Sequence, residues 1–142
     1  MPIADAVEVF KARHELVLLR AGQAIKTYKV SLGIRPKGPK RQQGDHHTPE
    51  GRYFIDYHNY ASVFDLALHV SYPNAEDRRQ AMARNVPPGG DIMIHGLPNG
   101  VGALSLLLRG VDWTNGCIAV GDDEIEEIAR AVPDGTPIVI HP

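Results

Sequence analysis

The sequence DWTNGCIA spans residues 112–119 and contains the single cysteine of this 142-residue chain, Cys117. Gly116 comes directly before it, so the backbone can turn sharply there and leave main-chain N–H groups facing a cavity. Such groups can stabilise the oxyanion that forms when a thiolate attacks a carbonyl. A lone thiol is either a small buried apolar side chain or a reactive group, and the polar residues before Cys117 favour the reactive group. A thiol is mostly protonated at neutral pH, so this cysteine needs a base or a cation to activate it.

The candidate base is His95, which ends a predicted buried strand over residues 91–95 and is followed by Gly96. This position points the imidazole out of a rigid element into the cleft that the strand end borders. A main-chain carbonyl could fix its tautomer. A cysteine beside a histidine is the minimum set for acyl transfer. The alternative is a histidine that only satisfies a hydrogen bond.

Hydrophobic patterning predicts a mainly β domain, a mixed sandwich or open barrel with two or three short helices. Strands are predicted over residues 6–11, 15–20, 24–32, 52–57, 66–71, 91–95, 117–120 and 136–140, the first three as an antiparallel meander. Helices are predicted over residues 75–84, 100–109 and 124–132, with caps at Asn74 and at Asp122 or Asp123. Because strands and helices do not alternate early in the chain, a doubly wound fold is not expected.

Length and composition predict one globular domain over residues 1–142. Apolar residues make up 43% and charged residues 23% of the chain, and the formal net charge is −2. No apolar run approaches the roughly 20 residues of a spanning helix, and no signal peptide is visible. Proline and glycine separate the basic residues Lys37, Lys40 and Arg41, which predicts a solvated loop and not a nucleic-acid surface.

Residues 33–51 form a long stretch rich in glycine and proline, and long loops in compact domains are often functional. We expect residues 45–51 to border the cleft. His46 and His47 lie in this loop, but no spacing typical of a metal site occurs, so we expect no metal and no cofactor. His69 lies in a predicted strand and is expected to pack or to line the cleft wall.

Two segments together resemble a known family. Ile94-His95-Gly96, followed after an insert by Thr114-Asn115-Gly116-Cys117, is similar to the His–Gly and Ser/Thr–x–Gly–Cys signature of the L,D-transpeptidase catalytic domain, the YkuD-like family. The match extends over most of the chain: VSLG at residues 30–33, GD at residues 44–45 and TPEGRY at residues 48–53 resemble further family segments. SYPN at residues 71–74 and DWTNGCIA look like a proteobacterial-type branch.

The resemblance implies roles for individual residues. Cys117 would be the nucleophile, His95 its base and the Gly96 carbonyl the group that orients His95. The N–H groups of Gly116 and Cys117 would form the oxyanion hole. The residues expected to bind substrate are Thr114, Asn115, Trp113, His69 and Tyr72.

The chain departs from the commoner family pattern in three places. Asn115 stands where many members have His, and Ala119 stands where many have Arg or Asn. The interval between His95 and Cys117 is also longer than in many members, which suggests that residues 97–111 form a distinct flap or helix over the site.

The implied activity is that of a peptidoglycan L,D-transpeptidase. Such an enzyme cleaves the bond between a diamino acid and D-alanine in tetrapeptide stems, and passes the acyl group to an amine or to water. Its partners would be peptidoglycan stem peptides, and its compartment the periplasm or cell envelope. The alternative is a non-catalytic β-sandwich module that binds peptidoglycan without turnover.

Overall fold

The computed structural model describes residues 1–62, 65–97 and 111–142. The strands are β1 (Ala6–Phe10), β2 (Glu15–Arg20), β3 (Gln23–Lys29), β4 (Gly51–Ser62), β5 (Asp65–Val70), β6 (Met93–His95), β7 (Ile118–Ala119) and β8 (Pro137–His141). The α-helices are α1 (Ala75–Ala83) and α2 (Asp122–Ala131), and a single 3₁₀ turn, Lys11–Arg13, follows β1. The helix predicted over residues 100–109 lies outside the described residues.

The strands form one sheet in the order β3-β2-β1-β8-β4-β5-β6-β7. β1, β2 and β3 form the expected antiparallel meander, whereas β1 pairs with β8, and β6 with β7, in parallel. The chain leaving β3 then pairs at the far edge of the sheet, where Ser31 bridges Ala119 and Gly33 bridges Thr114. The sheet therefore curls into a half-barrel, which confirms the open barrel and not the sandwich.

The core lies on one face of the curled sheet, where apolar side chains alternate with outward-facing ones along each strand. α2 covers this face and packs against β5 and β6. The buried members include Val7, Val9, Leu16, Leu18, Ile55, Leu68, Val70, Ile94, Ile118, Ile125, Ile128, Ile138 and Ile140. Burial of this set holds β5, β6 and β7 in place, and the candidate site lies on their opposite face.

The two helices begin in different ways. The Asn74 side chain accepts a hydrogen bond from the Asp77 N–H, and the Asp77 carboxylate accepts one from the Asn74 N–H, which confirms the predicted cap of α1. The predicted start of α2 is wrong, because the helix begins at Asp122 after Gly121, whose N–H donates to the Glu124 carboxylate. Asp122 does not cap the helix: its carboxylate accepts the Leu97 N–H instead, 2.9 Å away.

Two strands have bounds that the patterning missed. β4 runs to Ser62, five residues past the predicted end, because β5 pairs with it along that length. β3 ends at Lys29, and the next residues join β7 and Thr114 instead of continuing beside β2. Among the described residues, neither helix is long and apolar enough to cross a membrane.

Candidate active site

The strands β6 and β7 bring the predicted nucleophile and base to one face of the sheet. Ile94 is paired with Ile118, and both side chains are buried in the core. Because side chains alternate along a strand, His95 and its partner Ala119 face the other way. Cys117 immediately precedes Ile118, so it shares that outer face with His95. The two chemical groups thus lie on neighbouring strands, offset by two residues.

His95 is 1% exposed and held in one tautomer. Its Nδ1 lies 2.6 Å from the Gly96 carbonyl oxygen, which can only accept, so Nδ1 carries the proton and Nε2 is the nitrogen that can act as a base. The Trp113 ring packs edge-on against the imidazole, with centroids 5.8 Å apart, and its buried Nε1 has no hydrogen-bond partner among the residues that the structure describes. Burial lowers the pKa of His95 to about 4, against the opposing effect of the Gly96 carbonyl, so the ring is neutral at neutral pH.

The Cys117 thiol is partly buried and sits against the chain that leads into β6. Its Sγ donates to the Asp91 carbonyl oxygen, 3.3 Å away, and the Met93 main-chain N–H hydrogen-bonds to the sulfur. Burial raises the pKa of the Cys117 thiol, whereas the Met93 N–H and the Lys40 cation oppose that rise. The shifts of the two pKa values thus favour a neutral thiol and a neutral imidazole over a preformed ion pair.

Thr114 and Gly116 shape the loop that delivers Cys117. The Thr114 hydroxyl donates to the Cys117 carbonyl, 2.7 Å away, and accepts from the Gly116 N–H at 3.1 Å. Thr114 is 4% exposed and its hydroxyl organises the loop, so its contact with a substrate stays a prediction. The Gly116 N–H is engaged by this hydroxyl and does not face a cavity, so the predicted oxyanion hole retains only the Cys117 N–H as a candidate donor.

Gly116 also has a conformation and a neighbour that require glycine. Its φ is +134°, which L side chains rarely adopt. A Cβ at this position would lie 2.7 Å from the His47 carbonyl oxygen. The loop over residues 33–51 therefore packs directly against the cysteine loop, in agreement with the expectation that it borders the site.

Tyr72 and Asn115 differ in how far they can meet a substrate. Tyr72 is 2% exposed, its ring packs edge-on against Tyr53, and its hydroxyl donates to the Pro88 carbonyl oxygen. Tyr72 is therefore a core residue that fixes the segment before β6 through this hydrogen bond. Its burial argues against the predicted role as a substrate contact. Asn115 is exposed at the tip of the cysteine loop and is free to meet a substrate.

His69 lies on the same outer face as His95, further across the sheet. It is paired with Met93 on β6 and with Tyr57 on β4, and its ring stacks on the Tyr57 ring at a centroid distance of 4.5 Å. Its Nδ1 lies 2.7 Å from the Asp56 carboxylate. His69 therefore forms part of a wall and makes no contact with the thiol through its ring.

Lys40 is a functional candidate that the sequence interpretation missed. Its side chain is 4% exposed, and its Nζ pairs with Asp45 at 2.9 Å, so the prediction of a solvated basic loop is wrong at this residue. Burial opposes ionisation of Asp45, but hydrogen bonds from Arg41, Lys40 and His47 outweigh it and lower its pKa to about 2. The surrounding prolines and glycines suggested exposure, and no local signal reveals the burial of one lysine among them.

The described parts of the chain hold no group of three or more His, Cys, Asp or Glu side chains arranged to bind a metal ion. The chemistry available to this set of residues is transfer of a proton from a thiol to a neutral imidazole, beside a main-chain N–H that can meet a developing oxyanion.

Comparison with a family model and with a curated protein identifies what the chain is similar to. A family model described as the YkuD L,D-transpeptidase catalytic domain matches residues 4–140. The chain is 27% identical over 130 residues to the Escherichia coli K12 protein named "Putative L,D-transpeptidase YafK", with 84% of this chain and 51% of that protein covered. The chain thus spans about half the length of the curated relatives it matches.

Solved structures show the same fold. The helical cell shape determining protein Pgp2 from Campylobacter jejuni aligns with a TM-score of 0.73 at 24% identity, over 95% of this chain and 46% of Pgp2. An L,D-transpeptidase from Xylanimonas cellulosilytica aligns with a TM-score of 0.63 at 14% identity, over 99% of this chain and 62% of the other. At these identities the likeness concerns the fold alone.

Proposed function

The chain belongs to the YkuD family of L,D-transpeptidase catalytic domains, and from this membership we propose that it is a cysteine acyltransferase acting on peptidoglycan stem peptides. Cys117 is the nucleophile and His95 the general base. The chain works in the periplasm or cell envelope. Because Pgp2 is named as a determinant of helical cell shape, remodelling of the wall that sets cell shape is the biological setting we propose.

In the first stage, His95 Nε2 takes the thiol proton while the sulfur attacks the amide that joins the diamino acid to D-alanine. The Cys117 N–H stabilises the resulting oxyanion. The imidazolium then gives its proton to the D-alanine nitrogen, the C–N bond breaks, and a thioester remains on Cys117.

In the second stage, an amine or a water molecule attacks the thioester, and His95 accepts the attacking group's proton. The tetrahedral intermediate collapses, and the thiolate leaves and regains its proton from the imidazolium. An amine gives a cross-linked product, and water gives a shortened stem peptide. Both outcomes use the same thiol, imidazole and N–H, so the acceptor decides which one prevails.

One observation carries the proposal: the β6–β7 register puts Cys117 and His95 on the same face of neighbouring strands. The hydrogen bond from Nδ1 to the Gly96 carbonyl supports it further, because it reserves Nε2 for the thiol proton.

The test is mass spectrometry of purified tetrapeptide stems incubated with the protein, with and without an added amine. We expect loss of D-alanine, with a cross-linked product when the amine is present. Cys117→Ala should reduce turnover by at least about 1000-fold while circular dichroism stays native. Turnover that survives in Cys117→Ala would refute the nucleophile assignment.

A carbapenem separates the enzyme from a module that only binds peptidoglycan. An activated Cys117 should gain the mass of the carbapenem. A protein that binds stem peptides but stays unmodified, and that releases no D-alanine, would support the binding module and contradict the acyltransferase.

A further inference from the structure

A cavity of about 290 Å³ lies between the loop over residues 36–47 and the C-terminal end of α1. Arg41, Asp45 and His47 line it from the loop, and Arg84 lines it from the helix end. None of these side chains takes part in the thiol–imidazole chemistry. The volume corresponds to roughly ten water molecules at about 30 Å³ each, which is room for a small polar group and its immediate substituents.

The electrostatic character of this cavity is positive. Asp45 is its acidic member, but that carboxylate is already bound by the Lys40 Nζ at 2.9 Å and by the Arg41 N–H at 2.8 Å, with further N–H donors from Gln42 and His47. Its charge is compensated by Lys40, so Arg41 and Arg84 give the cavity lining its positive charge.

The Arg84 guanidinium is partly held in place, which prepares it to bind a ligand. Its Nη2 donates to the Arg41 carbonyl oxygen, 2.9 Å away, so the helix end and the loop are joined at this point. The Gln43 N–H also donates to the Pro87 carbonyl and fixes the loop to the chain that follows α1. A guanidinium has five N–H donors in a planar fork that matches a carboxylate, and only one of those of Arg84 is used within the described parts of the chain.

The cavity adjoins the candidate nucleophile through two short connections. His47 is one of the residues that line the cavity, and its carbonyl packs against Gly116, directly before Cys117. On the other side, Gly89 packs against Gln43 and the Lys40 side chain, and the Asp91 carbonyl two residues later accepts a hydrogen bond from the Cys117 thiol. The cavity is therefore linked to Cys117 through the His47–Gly116 contact and through residues 89–91.

We propose that this cavity is a carboxylate-binding subsite, in which Arg41 and Arg84 bind a free carboxylate of the stem peptide. The proposal rests on the proposed function and adds to it a determinant of substrate choice. A stem peptide presents carboxylates from its terminal D-alanine and from its diacid residues. These carboxylates share the same chemistry. The cavity selects peptides that carry the free carboxylate over peptides in which that carboxylate is masked as an amide.

The experiment compares tetrapeptides with free carboxylates against peptides amidated at the terminal D-alanine or at a side carboxylate. Arg84→Gln and Arg41→Gln should each raise KM for the free peptide about tenfold, with kcat changed less than twofold, because a charge-assisted hydrogen bond is lost. If amidation masks the carboxylate that enters the cavity, the peptide should bind the wild-type protein about tenfold more weakly than the free peptide does. Neither arginine substitution should weaken the binding of that amidated peptide further. That arm identifies which carboxylate is recognised.

Three controls make the result specific. Arg79→Gln removes an arginine on the same helix that pairs with Glu76 outside the cavity, so its KM should stay within twofold of wild type. Arg84→Lys keeps the charge and should restore part of the affinity. Alkylation of Cys117 by neutral iodoacetamide should proceed at the wild-type rate in every variant, which shows that the thiol site is intact.

The proposal is overturned if both glutamine variants keep the wild-type KM, or if they raise KM equally for the free peptide and for both amidated peptides. If the wild-type protein turns over no stem peptide, the proposed function fails. Binding of the same peptides, measured by calorimetry, then still tests whether the cavity binds a carboxylate. Weaker binding of the free peptide in Arg84→Gln then supports the cavity, and unchanged binding refutes it.

Discussion

Burial lowers the pKa of the His95 imidazole and raises the pKa of the Cys117 thiol. Both shifts favour the neutral form of the side chain. Desolvation disfavours whichever form is charged, so one cause produces both shifts. A preformed ion pair would need water or fixed donors around it, and among the described residues only the Met93 N–H and the Lys40 cation favour the thiolate. In the proposed mechanism, the proton transfer therefore accompanies attack on the substrate.

The pH dependence of catalysis follows from the lowered pKa of His95. A base works only when unprotonated, so kcat/KM should stay high as the pH falls from 6.5 and should drop only near pH 4. The measurement is the initial rate of D-alanine release between about pH 3.5 and 8, with circular dichroism at each pH to monitor folding. An acid limb centred near 6.5, the ordinary value for histidine, would contradict a buried neutral base.

At the scale of elements, the loop before β7 decides how the sulfur is presented. The Thr114 hydroxyl binds both the Gly116 N–H and the Cys117 carbonyl, and Gly116 packs under the His47 carbonyl. The glycine before a cysteine predicted a sharp turn, and the structure has it. The use of the Gly116 N–H within the turn could not be predicted, because it depends on the rotamer of Thr114.

Gly116→Ala tests that presentation. A positive φ disfavours any Cβ, and the Cβ of an alanine at position 116 would also meet the His47 carbonyl. We therefore expect the free energy of unfolding to fall by about 1–3 kcal/mol. We also expect acylation by a carbapenem to be at least about tenfold slower. Gly135→Ala is the matched control, since Gly135 has φ +91° but nothing within 4 Å of a built Cβ. It should lose stability and keep the wild-type acylation rate.

Urea unfolding and mass spectrometry of the adduct give the two readouts. If Gly116→Ala acylated as fast as Gly135→Ala, the contact between the two loops would have no part in orienting Cys117, and only the backbone strain would remain.

The two helices show how far local sequence signals reach. The cap of α1 at Asn74 was predictable because both partners of the capping box lie within four residues. The start of α2 was not, because Asp122 binds the Leu97 N–H, 25 residues earlier in the chain. Lys40 was misjudged for the same reason, since its burial comes from packing of the loop against the segment that contains Gly89.

At the scale of the whole molecule, closure of the half-barrel depends on pairings between distant parts of the chain. β1 pairs with β8, as in Val7 with Ile138, and the two far edges meet through Ser31 and Ala119. Alternation within each strand predicts which face is buried, but no local pattern specifies a partner more than 100 residues away. Composition and periodicity left sandwich and barrel open, and the pairings of distant strands that decide between them came only with the structure.

Asp112 joins three parts of this closed sheet. Its carboxylate accepts the Leu32 N–H and lies 2.9 Å from His14 Nε2, at the turn between β1 and β2. It also directly precedes Trp113, which packs on His95. The carboxylate therefore links the meander to the wall of the candidate site, and its removal leaves the Leu32 N–H without this acceptor.

Asp112→Ala should lower the free energy of unfolding by about 1–2 kcal/mol, since a partly exposed charge-assisted hydrogen bond is lost. It should also slow carbapenem acylation several-fold, because Trp113 and Thr114 lose one link to the segment after β3, whereas the main-chain hydrogen bonds of Thr114 with Leu32 and Ile34 remain. Asp112→Asn keeps an acceptor for the Leu32 N–H and should recover most of the stability. Asp134→Ala removes a carboxylate that pairs with His58 near the end of α2 and should leave the acylation rate unchanged. If Asp112→Ala lost stability but kept the wild-type acylation rate, Asp112 would hold the sheet together without positioning the candidate site. That result would contradict the proposed link between the two.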